Sequence, residues 1–189
     1  MVKLFLTDVD GCLTDGAMYY SAHGEELKRF CVYDGMGIVL LRQAGIPCGI
    51  LTSEQSPIVK ARAEKLGVDF LYLGVGSKVG KIVTRYDFTS SSWLATNELP
   101  PMTKLQAAER ICDKLGISLS NVCYVGDDIN DIDILRAVGH PYCPANARPE
   151  VKAITKSSGA KADIRVLSTP GGQGAIREVA DVILADLKV

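Results

Sequence analysis

Histidine is scarce in this chain, and paired cysteine motifs are missing. There are two histidines, His23 and His140, and none of the six cysteines belongs to a Cys-x-x-Cys pair. Those absences argue against a zinc site, and against a disulfide framework in a chain of 189 residues. A dominant charge is missing too: 21 Lys plus Arg stand against 22 Asp plus Glu. That balance gives no electrostatic case for nucleic acid or an anionic membrane, and neither is expected as a partner. No apolar run approaches the ~20 residues of a membrane span. Met1-Val2-Lys3 enters a strand without a signal-peptide pattern, so a cytoplasmic location is expected.

What is present is an ordinary globular composition, 47% hydrophobic and 23% charged, in a chain long enough to bury a sizeable core as one domain. Most cysteines lie in apolar stretches and read as small core residues; Cys12, just past an Asp-Gly turn, reads as a bystander. Strand and helix signals alternate. Strands are expected over 3–7, 47–52, 69–73, 122–125, 140–143 and 162–167. A hairpin over 17–32 turns at His23-Gly24. Helices are expected over 35–44, from Pro57 to Leu66, over 103–115 with a Thr103/Gln106 capping box, through Ile132, Leu135 and Val138, over 149–156, and from Ile176 to Leu187. This alternation implies an α/β fold: a three-layer, Rossmann-like parallel sheet with helices on both faces and a β-hairpin after the first strand. Residues 74–102 break the rhythm. They read as an insertion or long loop at about 79–102, with one possible strand over 82–88.

The first strand ends in paired carboxylates, Leu4-Phe5-Leu6-Thr7-Asp8-Val9-Asp10-Gly11. In a strand, residues i and i+2 point to one side. Like charges that close shift each other's pKa unless a cation or a division of labour intervenes. An Asp-Gly turn is the bland alternative. Two more strands end in similar chemistry, one in Thr52 and Ser53, the other before Asp127 and Asp128. Ligands bind at the carboxyl ends of such strands, and three ends that suit metal or phosphate point to phosphoryl transfer. Asp8 is the candidate nucleophile and Asp10 the candidate proton donor and base. Asp127 is a candidate Mg²⁺ ligand, and Thr52 a donor to phosphoryl oxygens. A lysine is still required. Lys104, at the first position of a capped helix where a cation is disfavoured by roughly 0.3–1 kcal/mol, is preferred over Lys78 and Lys81. Asp131 either caps the next helix or orients the metal ligand or Lys104, and Asp128 is a candidate outer partner of the metal.

At these residues the chain resembles the haloacid dehalogenase superfamily of phosphohydrolases: Asp8-x-Asp10-Gly-x-x-Thr-Asp15, Thr52, a lysine, then Gly126-Asp127-Asp128-x-Asn-Asp131. The resemblance implies an aspartyl-phosphate mechanism with Mg²⁺ held by Asp8, the Asp10 carbonyl and Asp127, and the phosphoryl group bound by Thr52 and Lys104. The gaps between motifs are too short for a large cap. They resemble the capless branch acting on 3-deoxy-2-keto sugar acid phosphates, whose members are similar in forming tetramers through the hairpin. Asp34-Gly-Met-Gly-Ile38, Pro144-Ala-Asn-Ala and Gly171-Gly-Gln-Gly-Ala-Ile-Arg-Glu178 extend the match. Thr52-Ser53-Glu54 with Arg62 looks more like the phosphatases of 2-keto-3-deoxynononate 9-phosphate, in sialic-acid biosynthesis, than those of 3-deoxy-octulosonate 8-phosphate. On that likeness, Ser53, Glu54 and Arg62 bind substrate, and Gly171 and Gly172 offer backbone N–H groups to an anion. Arg177 would join that contact or an interface.

Two rivals come from other classes. A receiver-type signalling domain uses similar groups, but its phosphoacceptor lies on a later, central strand. A non-catalytic, phosphatase-like oligomerisation domain typically lacks motif residues that this chain retains.

Overall fold

The computed structural model describes residues 1–76, 83–89 and 92–187. In chain order the elements are β1 (Leu4–Thr7), β2 (Tyr19–Ser21), β3 (Gly24–Leu27), α1 (Val32–Gln43), β4 (Cys48–Thr52), α2 (Pro57–Leu66), β5 (Phe70–Leu73), β6 (Val83–Thr89), β7 (Ser92–Leu99), α3 (Lys104–Leu115), β8 (Val122–Val125), α4 (Ile132–Ala137), β9 (His140–Cys143), α5 (Pro149–Lys152), β10 (Arg165–Val166) and α6 (Ala175–Asp186).

The main sheet runs β10-β9-β8-β1-β4-β5-β6-β7, and β2 and β3 pair separately as an antiparallel hairpin. From β10 to β5 every pairing is parallel. β1 lies between β4 and β8, where the strand order reverses, and the crevice above such a reversal is where open α/β sheets bind ligands.

Alternation along the strands splits the core in two. Phe5, Cys48, Ile50 and Leu71 face α1, α2 and α6, against Ile38, Leu41, Val59, Ala63, Val179 and Ile183. Leu4, Leu6, Leu51, Phe70 and Tyr72 face the opposite layer, against Ala107, Ala108, Ile111, Ile134, Leu135 and Val151. Each large side chain so buried contributes roughly 1.5–3 kcal/mol. All six cysteines are free. Among the described residues, no helix is long and apolar enough to cross a membrane.

The sequence reading differs most at residues 83–99. The possible strand over 82–88 is present as β6, and with β7, which was not expected, it forms an antiparallel hairpin that continues the sheet beyond β5. Its cause is the β5 edge: bare N–H and C=O groups there need partners, and β6 supplies them. Smaller differences lie at element ends. α1 starts at Val32, and the expected final strand shrinks to Arg165–Val166.

α1 and α6 are tied by a buried carboxylate. Asp34 accepts from Gly174 N at 3.2 Å, Ile176 N at 2.8 Å and Arg177 N at 3.2 Å, capping α6 from another helix. Gly37 permits the approach, since a Cβ there would sit 3.0 Å from Arg177 Cα. Asp34→Ala strands these buried donors and is expected to lower unfolding free energy by about 3 kcal/mol, read as a reduced urea midpoint; an unchanged midpoint contradicts the capping role.

Candidate active site

The carboxyl ends of β1, β4 and β8 open into a cleft of about 260 Å³ walled by Asp8, Asp10, Met18, Thr52, Ser53, Glu54, Asp127, Asp128 and Asn130. A larger hollow of about 450 Å³ lies elsewhere, beside Arg42, Ile46, Pro47 and Asp69. Its charged residues are paired with each other at 3.2 Å and it holds no converging acids, so size is a poor guide to the chemistry.

Asp8 continues β1 by donating its N–H to Val125 O at 3.0 Å. Its Oδ1 accepts from Val9 N at 2.7 Å, and its Oδ2 pairs with Lys104 Nζ at 2.7 Å. Lys104 is placed by its own helix start. Thr103 Oγ1 accepts from Gln106 N, and Gln106 Oε1 accepts from Thr103 N, which fixes the first turn of α3. The Lys104 side chain then runs inward, 1% exposed, and reaches Asp131 Oδ1 at 2.7 Å as well. Lys78 and Lys81 lie outside the described residues.

Asp131 takes the orienting role: its side chain makes no capping hydrogen bond to α4, though it closes the short turn before that helix. Its Oδ2 accepts from Asp127 N at 3.0 Å and Asp128 N at 3.3 Å, while its Oδ1 accepts from Lys104 and from the Tyr124 hydroxyl. With both oxygens committed to protein donors, Asp131 orients the site. Asp8, Asp127 and Asp131 nonetheless bring one oxygen each within 4.8 Å of one another. Asp8 and Asp127, whose oxygens are less fully committed, could hold a cation there. Asp127 also explains Gly11: at φ +82°, a Cβ there would lie 2.0 Å from Asp127 Oδ2.

The charges do not balance. Burial, opposed by Lys104 and reinforced by Asp131, pushes Asp8 up to about 7. Burial, Asp8 and Asp131 push Asp127 up to about 7. Burial works against the charged form of Lys104, but Asp8 and Asp131 outweigh it and hold the amine above its ordinary range. Three carboxylates therefore share one ammonium, a deficit that a proton or a divalent cation makes good. Burial and Asp127 push the Cys12 thiol up, which suits a buried bystander better than a nucleophile.

Thr52 Oγ1 accepts from Glu54 N at 3.2 Å on the cleft wall, and Ser53 Oγ accepts from Asn130 Nδ2 at 3.2 Å. Asp128 accepts from Ile129 N at 2.7 Å and opens the turn before α4. Two expectations need correcting. Arg62 does not line the cleft: its guanidinium lies 5.4 Å from the Phe30 ring and donates to Cys31 O at 3.3 Å, because its face of α2 turns toward α1. Gly171 and Gly172 offer no bare N–H groups. Gly171 N donates to Asn146 Oδ1 and Gly172 N to Cys12 O, both at 2.9 Å. They are small because they pack on the loop after β1, where a Cβ at 171 would meet Gly11 O at 1.7 Å. Arg177 pairs with Asp181 at 2.8 Å.

Sequence reasoning missed Lys28 and Tyr124, and quoted Asn130 within a motif without giving it a role. A tyrosine inside a buried strand demands a partner for its hydroxyl, so Tyr124 was findable. A hairpin lysine carries no such signal.

A model of the haloacid dehalogenase-like hydrolases matches residues 78–163, a segment holding Lys104, Asp127 and Asp131. The Haemophilus influenzae 3-deoxy-D-manno-octulosonate 8-phosphate phosphatase KdsC is 34% identical over 183 residues, 97% of this chain and 83% of that protein. The chain belongs to the haloacid dehalogenase-like hydrolases. Structures agree. The cobalt-bound octulosonate 8-phosphate phosphatase of H. influenzae matches with a TM-score of 0.76 at 34% identity, over 97% of this chain and 88% of that one. The Moraxella catarrhalis phosphatase, solved with magnesium, phosphate and KDO, matches with a TM-score of 0.77 at 33% identity, over 97% of this chain and 86% of that one. Within this hydrolase family the chain is a phosphomonoesterase, compact and without a large cap.

The raised acids set a pH dependence. In the cation-free hydrolase, Asp8 and Asp127 have folded-state pKa values near 7 against 3.8 unfolded. The folded chain then binds more protons between those values, so their contribution is fully present below pH 3.8 and is lost as pH rises to about 7. A divalent cation competes with those protons. The rise in melting temperature that Mg²⁺ produces is therefore expected to grow from pH 5 to pH 8, with about 2.7 kcal/mol added at ~100 times its Kd. A pH-independent rise contradicts the coupling.

Proposed function

We propose that this protein releases inorganic phosphate from a 3-deoxy-2-keto sugar acid phosphate, with Mg²⁺ as its cofactor. One observation carries the reading: Asp8 lines the cleft with Lys104 2.7 Å away and Asp127 beside it. Mg²⁺, when bound, supplies charge neutralisation for the phosphoryl oxygens at Asp8, Asp127 and the Asp10 carbonyl.

Asp8 attacks phosphorus as the ester P–O bond breaks, and Asp10 gives its proton to the departing oxygen. Asp10, now a carboxylate, takes a proton from water as that water attacks the phospho-aspartate. Phosphate leaves and Asp8 is restored. Lys104 and Thr52 hold the phosphoryl oxygens through this exchange, and Asp131 keeps Lys104 and the Asp127 backbone in place.

The relatives' names support the eight-carbon 3-deoxy-D-manno-octulosonate 8-phosphate as substrate. The nine-carbon nononate phosphate stands second, favoured by Glu54 on the cleft wall, while Arg62, the other residue behind that expectation, lies outside the cleft. Assembly through the hairpin is part of the proposal, since Tyr19, Tyr20 and Leu27 there are 50%, 69% and 64% exposed; light scattering that gives a monomer contradicts it.

Phosphate release from the two sugar acid phosphates, compared at equal Mg²⁺, tests the reading. The expected preference is for the eight-carbon ester, and a nine-carbon preference hands the role of selector to Glu54. Asp8→Asn is expected to abolish turnover of both, by at least about 10³-fold; full activity in that variant would sink the mechanism.

A further inference from the structure

Lys28 is a buried ammonium to which the phosphoryl chemistry assigns no role. It follows β3 by one residue, between the exposed Leu27 and Arg29, yet its side chain is 0% exposed. Its Nζ lies 2.8 Å from Asp10 Oδ1, and Thr14 Oγ1 donates to the same oxygen at 3.3 Å. A charge taken out of water is costly unless paired, and this pair is made with the proposed acid/base itself. Arg29 pairs with Asp15 at 2.9 Å, so consecutive basic residues fasten the end of the hairpin to the loop after β1.

Both contacts to the Asp10 carboxylate among the described residues fall on Oδ1. That carboxylate is 22% exposed on the cleft wall. We propose that Lys28 is a positioning residue that pins Asp10 Oδ1, leaving Oδ2 to meet the leaving oxygen of the substrate. Lys28 touches no substrate and gives up no proton; the proton that reaches the leaving oxygen comes from Asp10. The hairpin, in which Tyr19 and Tyr20 are exposed, thereby sets the aim of the acid. The inference rests on the acid/base reading of Asp10 given above.

Leaving-group dependence provides the test. An alkoxide needs a proton as it departs, whereas p-nitrophenolate leaves without one. In Lys28→Met, kcat on the sugar acid phosphate is expected to fall ~10²-fold or more, the scale of general acid catalysis, with KM changed little. Release of p-nitrophenolate in the first turnover, before the water step that Asp10 also serves, should fall less than ~5-fold on the same reasoning. Lys28→Arg should recover most of the loss. In an Asp10→Asn background, Lys28→Met should add almost nothing. Equal slowing of both esters, or an additive effect in the double variant, would reduce Lys28 to a scaffold residue and overturn the inference. If Lys28→Met does not fold, Lys28→Gln is held to the same comparison. Wild-type protein that hydrolyses neither ester overturns the underlying reading, and this inference with it.

Discussion

Everything at the cleft depends on one buried cation. Lys104, 1% exposed, is held between Asp8 and Asp131 at 2.7 Å each. An ammonium this deep is tolerable only with anionic partners, and an anionic cluster this dense is tolerable only with the ammonium. The rest follows from keeping them together. A capping box fixes the first turn of α3, Asp131 takes the backbone of the Asp127-Asp128 turn, and Tyr124 takes up the remaining acceptor capacity of Asp131 Oδ1. β1 is central because Asp8 must meet groups from both of its neighbours.

That arrangement also accounts for the glycines. The acids approach backbone closely, so Gly11 lies beneath Asp127 and Gly126 beneath Asp131, where a Cβ would come within 2.6 Å of the Asp131 side chain. Gly171 then fits against Gly11 O. A chain of contacts thus runs from the C-terminal segment to the clustered acids without a bulky side chain between them. Burial concentrates the charge, and close packing of backbone makes the burial possible.

Much of this was legible in the sequence because the signals were local. Buried strands ending in Asp or Thr, and a capping box four residues long, need no tertiary knowledge. Lys104 was readable because a cation at a helix start works against the dipole. Arg62 misled because it was placed by likeness, and likeness does not say which neighbour its face of α2 meets. Gly171 and Gly172 misled because flexibility and close packing call for the same residue. Lys28 left no trace, since a lysine flanked by exposed residues reads as solvated until its partner, far back in the chain, is known. The β6–β7 hairpin was half visible: a strand was plausible within it, but its pairing with β5 depends on an edge that only the assembled sheet creates.

That hairpin moves the growing end of the sheet. β10 spans only two residues, Arg165–Val166, whereas β7 spans eight, Ser92–Leu99, at the opposite end. Among the described residues, β7 is therefore the long outer strand with one side of its backbone unclaimed by the sheet. At ~4.8 Å per strand, it stands roughly 10 Å farther out than β5, so an extended segment of another chain could add itself there in register while the cleft stayed untouched. Any strand added at that margin would lie beyond β7, itself four strands from β1 and the cleft.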